Sequence, residues 1–335
     1  MKPQAFLAPQ DMSLAETRDL LAVARNLQKN PLRRDLAGKT IGMIFFNPSL
    51  RTRTSFDVAM NHLGGHAVIL NVGGEGTWTL EYREDIIMDG DKSEHIKEAA
   101  QVLSRYVDAI AIRAFSAGTS WEEDRREQIH RAFAAYATVP VINMESQLHH
   151  PCQSLADIKT IEDRIGDPAG QPLLVTWGWH PNPLAMAVPN SIVMEAAKFG
   201  MEVRLAHPPG WELDSAVIET AGTLAEGAGG SLRIYNNFEE ALPGARAVYA
   251  KSWGSITHYG DPQQQRAAAA PYRDKWRVTL EHMERTDNAF FLHCLPIRRG
   301  IEADAAVLDA PCSAVYDEAE NRLHVQKAVL LRMLA

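Results

Sequence analysis

The spacing of apolar positions along this chain switches repeatedly between that of a buried strand and that of an amphipathic helix. Thr40-Ile41-Gly42-Met43-Ile44 is an apolar run of strand length. After it, Phe56, Met60 and Leu63 recur at helical spacing until Gly64-Gly65 stops the pattern. The alternation continues with a strand near 67–70, a helix over about 94–106, and strands at 108–113 and 139–143. Upstream, Ser13-Leu14-Ala15-Glu16 is a capping box that opens a helix with apolar positions at Leu20, Leu21 and Val23, and Ser120-Trp121-Glu122-Glu123 repeats the signature. Four strand–helix alternations predict a parallel sheet with helices on both faces. The second half starts again with an apolar run at 172–177 and further strands at 202–206, 247–250 and 290–293. A Pro-punctuated loop at 180–191 feeds a helix to about Phe199, residues 263–270 read as a polar surface insertion, and a closing helix covers about 320–334.

Composition narrows the class. A chain of 335 residues is long for one core and fits two domains. With 46% hydrophobic and 23% charged residues it reads as an ordinary soluble globular protein. A net charge of −8 argues against a nucleic-acid partner, so any arginine chemistry has to act locally. Met1-Lys2-Pro3-Gln4-Ala5 opens no signal-peptide core and no run is long enough for a membrane span, which points to the cytoplasm. Cys152, Cys294 and Cys312 have no paired spacing, so neither a disulfide framework nor a zinc site is expected.

The chemistry concentrates at strand ends. Ser49-Leu50-Arg51-Thr52-Arg53 falls where a strand ends and a helix begins, and backbone N–H groups and the helix dipole favour an anion there. Two guanidiniums and two hydroxyls in five residues make this a phosphate site without the Walker or dinucleotide glycine patterns. An ordinary Ser/Thr N-cap with solvated arginines is the plainer alternative. Arg113 and the loop 144–153 fall at carboxyl ends of strands, where ligands gather in such sheets. In that loop, His150 can donate to a carbonyl oxygen and Gln153 offers a donor and an acceptor, although a helix-capping turn fits equally well. His149 and His150 do not form a metal pair, because adjacent side chains diverge and no carboxylate stands at ligand spacing. The loop 71–91, with Gly73, Gly74, Gly76 and Trp78, is long and irregular, as functional or disordered loops are. Trp78 is an exposed-looking aromatic that could equally tuck against its own domain.

Three of these stretches resemble one family. Ser49-Leu50-Arg51-Thr52-Arg53 is similar to the Ser-x-Arg-Thr-Arg phosphate loop of the carbamoyltransferases. His150-Pro151-Cys152-Gln153 resembles their His-Pro-x-Gln motif, and His293-Cys294-Leu295-Pro296 their His-Cys-Leu-Pro motif, in family order. The Ser-Met-Gly loop of ornithine carbamoyltransferases is replaced by Lys251-Ser252-Trp253-Gly254. With Met88-Asp89-Gly90-Asp91, Glu145 and His180-Pro181-Asn182-Pro183-Leu184, this resembles the branch acting on α-N-acylated ornithine.

The resemblance implies an α/β fold with two doubly wound parallel-sheet domains and a trefoil knot in the second. Residues 1–149 would bind carbamoyl phosphate, 150–319 the acylornithine, and 320–335 would pack back on the first domain. It further implies that Ser49, Leu50, Arg51, Thr52, Trp78, Arg113, His150, Gln153, Cys294, Leu295 and Arg322 bind carbamoyl phosphate. Arg113, His150 and Thr52 would be catalytic, and Ser93, Glu145, His180, Lys251 and Leu295 would position the acylornithine. No metal and no cofactor are implied. A homotrimer is, with Trp78 reaching a neighbouring subunit.

In acetyl-type relatives a Glu lies against the acyl group where this chain has Ser93, so the expected acceptor is N-succinyl-L-ornithine, giving N-succinyl-L-citrulline in arginine biosynthesis. A serine leaves room there and can donate to a succinyl carboxylate. N-acetyl-L-ornithine is the alternative, kept open by Asn182 where relatives have a cation. A non-catalytic carbamoyl phosphate-binding paralogue is the reading from another class. Glu302 stands where acetyl-type relatives can carry a lysine that becomes carboxylated.

Overall fold

Two parallel sheets organise the chain, and the computed structural model describes residues 5–74 and 77–335. Met1-Lys2-Pro3-Gln4 and Gly76 of the loop lie outside the described residues. The chain divides into a first unit (1–117, 122–152 and 322–335) and a second (118–121 and 153–321).

The first unit contains β1 (Ala5–Phe6), β2 (Thr40–Phe45), β3 (His66–Asn71), β4 (Leu80–Glu81), β5 (Glu94–His95), β6 (Ala109–Arg113) and β7 (Val141–Glu145). Five of these form a sheet in the order β1-β7-β6-β2-β3, with every pairing parallel. The order reverses direction between β2 and β6, so the loops leaving the carboxyl ends of these two strands open a crevice. Residues 46–52 and Arg113 stand there. Ile44, Ile96, Ile110, Ile112 and Phe133 are fully buried in the core of this unit. The Leu14–Lys29 helix has the predicted capping box: Ser13 Oγ accepts from the Glu16 N–H and Glu16 accepts from the Ser13 N–H. Leu20, Leu21, Ala24 and Leu27 face inward, whereas Val23 lies outside the stripe and is exposed.

The second unit contains β8 (Pro172–Trp177), β9 (Glu202–Ala206), β10 (Ser231–Tyr235), β11 (Ala247–Lys251) and β12 (Phe290–Leu292), in the all-parallel order β10-β9-β8-β11-β12. Its reversal lies between β8 and β11, so Gly178-Trp179-His180 and Ser252-Trp253 occupy the equivalent crevice.

The phosphate segment falls at a helix start as expected, because Ser49 caps a helix running Leu50–His62. Other elements depart from expectation. Residues 263–270 are largely a helix, Pro262–Ala269, since Asp261 caps it by accepting from the Gln263 and Gln264 N–H groups. β1 and β10 were not foreshadowed: one is two residues long and the other is a half-exposed edge strand without an apolar run. Among the described residues no helix is long and apolar enough to cross a membrane.

Candidate active site

In the first unit, Ser49 Oγ accepts from the Thr52 N–H at 3.2 Å and fixes the helix start. The Leu50 side chain is 77% exposed, so its contribution toward a ligand reduces to its backbone N–H. Thr52 is buried, and its Oγ1 accepts from Arg322 Nη2 at 2.8 Å, leaving its hydroxyl proton to donate elsewhere. Arg322 comes from the Val315–Leu334 helix. Arg113 ends β6, and a register irregularity between Ile112 and Arg113 sets it opposite Glu145, at the end of β7. Arg113 Nη1 pairs with Glu145 Oε2, and His150 Nε2 lies 3.6 Å from the same oxygen. Arg113 also stacks over the Phe115 ring at 4.9 Å.

His150 is held well below the usual imidazole range, first by burial and then by the positive charges of Arg322, Arg113 and Arg51. It is therefore a neutral imidazole, a hydrogen-bond donor rather than an acid. Three arginines converging on one neutral donor make a pocket suited to a dianion.

The loop that carries His150 is braced from below. Ser146 Oγ donates to the His149 carbonyl at 3.0 Å, and the Leu148 N–H donates to Glu127 Oε1 at 3.0 Å. Burial pushes His130 and His149 down to about 4. Burial raises the Cys152 thiol to about 12, which removes it as a nucleophile at neutral pH.

Trp78 is half-buried against the core of its own unit, the tucked placement held open from the sequence, and its carbonyl accepts from the Gly73 N–H. One expectation needs correction here. Ser93 is exposed, but its hydroxyl is not available as expected. It donates to the Thr79 carbonyl at 2.9 Å and accepts from the Thr79 N–H at 3.1 Å, while the Ser93 N–H donates to Thr79 Oγ1 at 3.0 Å.

In the second unit, Gln153 is buried, its Nε2 donates to Asp157 and Glu318, and its Oε1 has no hydrogen-bond partner among the described residues. His180 follows β8, and burial lowers it from its ordinary value. Its Nδ1 lies 2.7 Å from the Asn182 carbonyl, and its Nε2 accepts from Arg298 Nε at 3.0 Å. Lys251, at the end of β11, is buried, and its Nζ donates to the Ser252 carbonyl at 3.2 Å.

Glu302 is buried and receives three bonds, from Ser252 Oγ at 3.0 Å, His293 Nε2 at 3.2 Å and the Arg298 N–H at 3.0 Å. Burial opposes its ionisation, but the hydrogen bonds from His293 and the Arg298 N–H and the charge of Lys251 outweigh this and hold its carboxyl well below the usual range. The Leu295 N–H donates to His293 Nδ1 at 2.9 Å, and Leu295 sits at φ +55°, a conformation rare outside glycine that concentrates at functional sites. Burial raises the Cys294 thiol to about 11. A shallow pocket is lined by His180, Trp177, Trp211, Trp253, Asn182 and Arg266 among others.

Arg298 is the residue that sequence reasoning missed. It bonds to His180 across 118 positions, and its signal was present: an arginine three residues past Leu295 in the loop after a terminal strand. Among the described residues no cluster of His, Cys, Asp and Glu could hold a metal ion.

The chain matches known proteins along nearly its whole length. Residues 4–163 match the carbamoyl-P binding domain of aspartate/ornithine carbamoyltransferases, and residues 185–333 match their Asp/Orn binding domain. The chain is 43% identical to the N-acetylornithine carbamoyltransferase of Xanthomonas campestris pv. campestris, over all of this chain and 98% of that one. It is 38% identical to the N-succinylornithine carbamoyltransferase of Bacteroides fragilis, over 88% of this chain and 87% of the other. Solved structures of acetylornithine transcarbamylase match with a TM-score of 0.96. One, 42% identical and covering 99% of both chains, is complexed with acetylcitrulline. Another, 43% identical over 98% of this chain and 99% of that one, is a glutamate-to-serine variant complexed with carbamyl phosphate and N-succinyl-L-norvaline. The chain belongs to the aspartate/ornithine carbamoyltransferase family, on its N-acylornithine branch.

Proposed function

We propose that this enzyme transfers the carbamoyl group of carbamoyl phosphate to the δ-amine of an α-N-acylated L-ornithine, with N-acetyl-L-ornithine the acceptor. The observation that carries the reaction is the neutral His150 under the influence of Arg51, Arg113 and Arg322, with Thr52 bonded to Arg322. In this reading Ser49, the Leu50 N–H, Arg51, Thr52 and Arg322 hold the phosphate, with the Trp78 of a neighbouring subunit closing over it. Arg113, His150 and the Thr52 hydroxyl donate to the carbonyl oxygen.

The neutral δ-amine attacks the carbonyl carbon, and the carbonyl π pair moves to oxygen. Collapse of the tetrahedral intermediate breaks the bond to phosphate, which leaves and takes the proton from nitrogen. One donor aimed at the developing oxyanion is worth about 3 kcal/mol of barrier. Gln153, Cys294 and the Leu295 carbonyl face the carbamoyl NH₂, while Glu145, Lys251, His180 and Leu295 position the acylornithine. Arg298 joins them and brings a cation to His180, where Asn182 has none.

The preference for N-acetylornithine reverses the expectation drawn from Ser93. Identity to the N-acetylornithine enzyme exceeds that to the N-succinylornithine enzyme, and the Ser93 hydroxyl is engaged by Thr79. N-succinyl-L-ornithine remains the second reading. Its support is the glutamate-to-serine neighbour with N-succinyl-L-norvaline, since a serine at 93 also leaves that space without a carboxylate. Incubating the protein with carbamoyl phosphate and each acceptor, and measuring the citrulline-type product, tests both. Higher kcat/KM with N-succinylornithine reverses the assignment, and turnover of neither refutes the enzyme in favour of a binding paralogue.

The first unit is then the carbamoyl phosphate domain and the second the acylornithine domain, working in arginine biosynthesis in the cytoplasm without a cofactor. A homotrimer is supported by exposed apolar side chains on the first unit, Leu50 and Ile87 at 77% and 82%, and a light-scattering mass other than three chains refutes it. A trefoil knot in the second unit, with the 180–191 loop encircled by about residues 235–253, is the further implication of the family resemblance, and the Leu184 carbonyl accepting from the Gly254 N–H at 2.9 Å sets that loop beside the end of the segment. A crystallographic chain trace that shortens to a straight line when its ends are pulled refutes the knot.

A further inference from the structure

The Gln153 side chain is 1% exposed, and both acceptors of its amide nitrogen are carboxylates: Asp157 Oδ1 at 2.7 Å and Glu318 Oε1 at 2.8 Å. Asp157 lies one turn further along the Pro151–Ile165 helix, and Glu318 lies near the start of the Val315–Leu334 helix. Both are fully buried. Glu318 is itself held in place, because the Tyr249 hydroxyl donates to Oε1 at 3.2 Å and the His293 N–H donates to Oε2 at 2.8 Å.

A side-chain amide has two flips that occupy the same space and exchange a donor for an acceptor. Two carboxylates accept and do not donate, so they select the flip that turns NH₂ toward them. The carbonyl oxygen then points the other way, and it is this atom that is buried without a partner among the described residues. A buried acceptor in that state calls for a donor on a ligand.

We propose that Asp157 and Glu318 are positioning residues that lock the Gln153 amide in one flip. Oε1 then accepts from the carbamoyl NH₂ and selects an acyl phosphate carrying N–H over one that does not. This rests on the carbamoyl phosphate reading above. In the opposite flip the Gln153 NH₂ would face the carbamoyl NH₂, donor against donor, and a carbonyl would face two carboxylates. The carboxylates thus act through Gln153 without touching the reacting atoms.

The test compares carbamoyl phosphate with acetyl phosphate, which keeps the charge and replaces NH₂ by CH₃. Calorimetric affinities for both are measured on the wild type, Asp157→Asn and Glu318→Gln. An isosteric amide at either position can present its own NH₂ to Gln153 and release the flip. The preference for carbamoyl over acetyl phosphate should fall about tenfold, through lost carbamoyl phosphate affinity, with acetyl phosphate affinity retained. Tyr249→Phe disturbs the same cluster but removes no acceptor from the amide, so it should keep the wild-type ratio. Parallel weakening of both ligands, or an unchanged ratio in both carboxylate variants, overturns the proposal. A wild type that binds carbamoyl phosphate no better than acetyl phosphate fails earlier, at the reading beneath it. A measurement on the wild type covers variants that do not fold. The Gln153 side-chain NH₂ resonances, identified by their loss in Gln153→Leu, should hold their positions when carbamoyl phosphate is added. A large displacement shows NH₂ facing the ligand and refutes the lock.

Discussion

Glu145 offers the sharpest test of the candidate site, because its carboxylate meets the two donors, Arg113 and His150, that the proposed reaction uses. Its Oε2 pairs with Arg113 and lies 3.6 Å from His150 Nε2, and the Arg113 and Glu145 side chains are only 12% and 15% exposed. In Glu145→Gln the negative charge is removed while the shape is kept. Carbamoyl phosphate arrives as a dianion, and at an effective dielectric of about 20 two like unit charges about 4 Å apart repel by on the order of 4 kcal/mol, so a carboxylate beside the site opposes its binding by a smaller amount of the same sign. The native side chain relieves part of this by swinging away, and the glutamine still bonds weakly to Arg113. A net gain of about 1.4 kcal/mol is therefore expected, or carbamoyl phosphate binding tightened about tenfold. The acceptor should suffer the opposite effect, with a raised KM, because the carboxylate is also assigned to position the acylornithine. Calorimetric titration with carbamoyl phosphate alone, followed by steady-state kinetics with the acceptor, reads the two signs separately. If Glu145→Gln folds with an unchanged melting temperature yet binds carbamoyl phosphate equally or more weakly, the carboxylate is not competing for Arg113 and His150.

Three further outcomes can be checked on stability. His130 and His149 sit near 4 in the folded protein against 6.5 for an ordinary imidazole, so their contribution is complete above pH 6.5 and is lost as pH falls toward 4. It amounts to roughly 3 kcal/mol for each histidine, and a urea midpoint that does not drop between pH 7 and pH 5 contradicts it. Ser13→Ala removes the acceptor for the Glu16 N–H and should cost about 1 kcal/mol in denaturant titrations, leaving carbamoyl phosphate affinity unchanged. Gly200 has φ +74°, and an added Cβ would lie 2.7 Å from the Ala228 carbonyl oxygen, so Gly200→Ala should lose about 2 kcal/mol or more. Gly222 is mid-helix in open space, and Gly222→Ala should instead gain about 0.5–1 kcal/mol; equal melting temperatures for the pair would sink the argument.

The main strands were readable because a strand buried on both faces has to be apolar throughout, as Thr40–Phe45 and Pro172–Trp177 are. β1 and β10 were not, since an edge strand needs no such run. The phosphate turn was legible because its chemistry is contiguous: hydroxyl, guanidinium and helix start fall within five residues. What escaped depends on contacts between distant positions. Arg298 meets His180 across 118 residues, and Gln153 meets Glu318 across 165. No local pattern encodes such a meeting, because it is produced only when the loops after β8 and β12, or two helices, pack against each other. Ser93 shows a subtler limit. Its side-chain type was read correctly as small and uncharged, but its hydrogen bonds run to Thr79, fourteen residues away, and decide what it can do.

That clasp between Thr79 and Ser93 has a bearing on how acceptor choice can change by descent. Mutual hydrogen bonds between the two residues close the strap that presents both positions. On the proposed reading a glutamate at 93 would bring a carboxylate to the acyl group, but it could not donate to the Thr79 carbonyl. Position 93 is therefore not free to drift by itself. A lineage moving between acyl groups through this residue has to refit residue 79 or tolerate a looser strap, so the two positions should change together across relatives, as contacting pairs do.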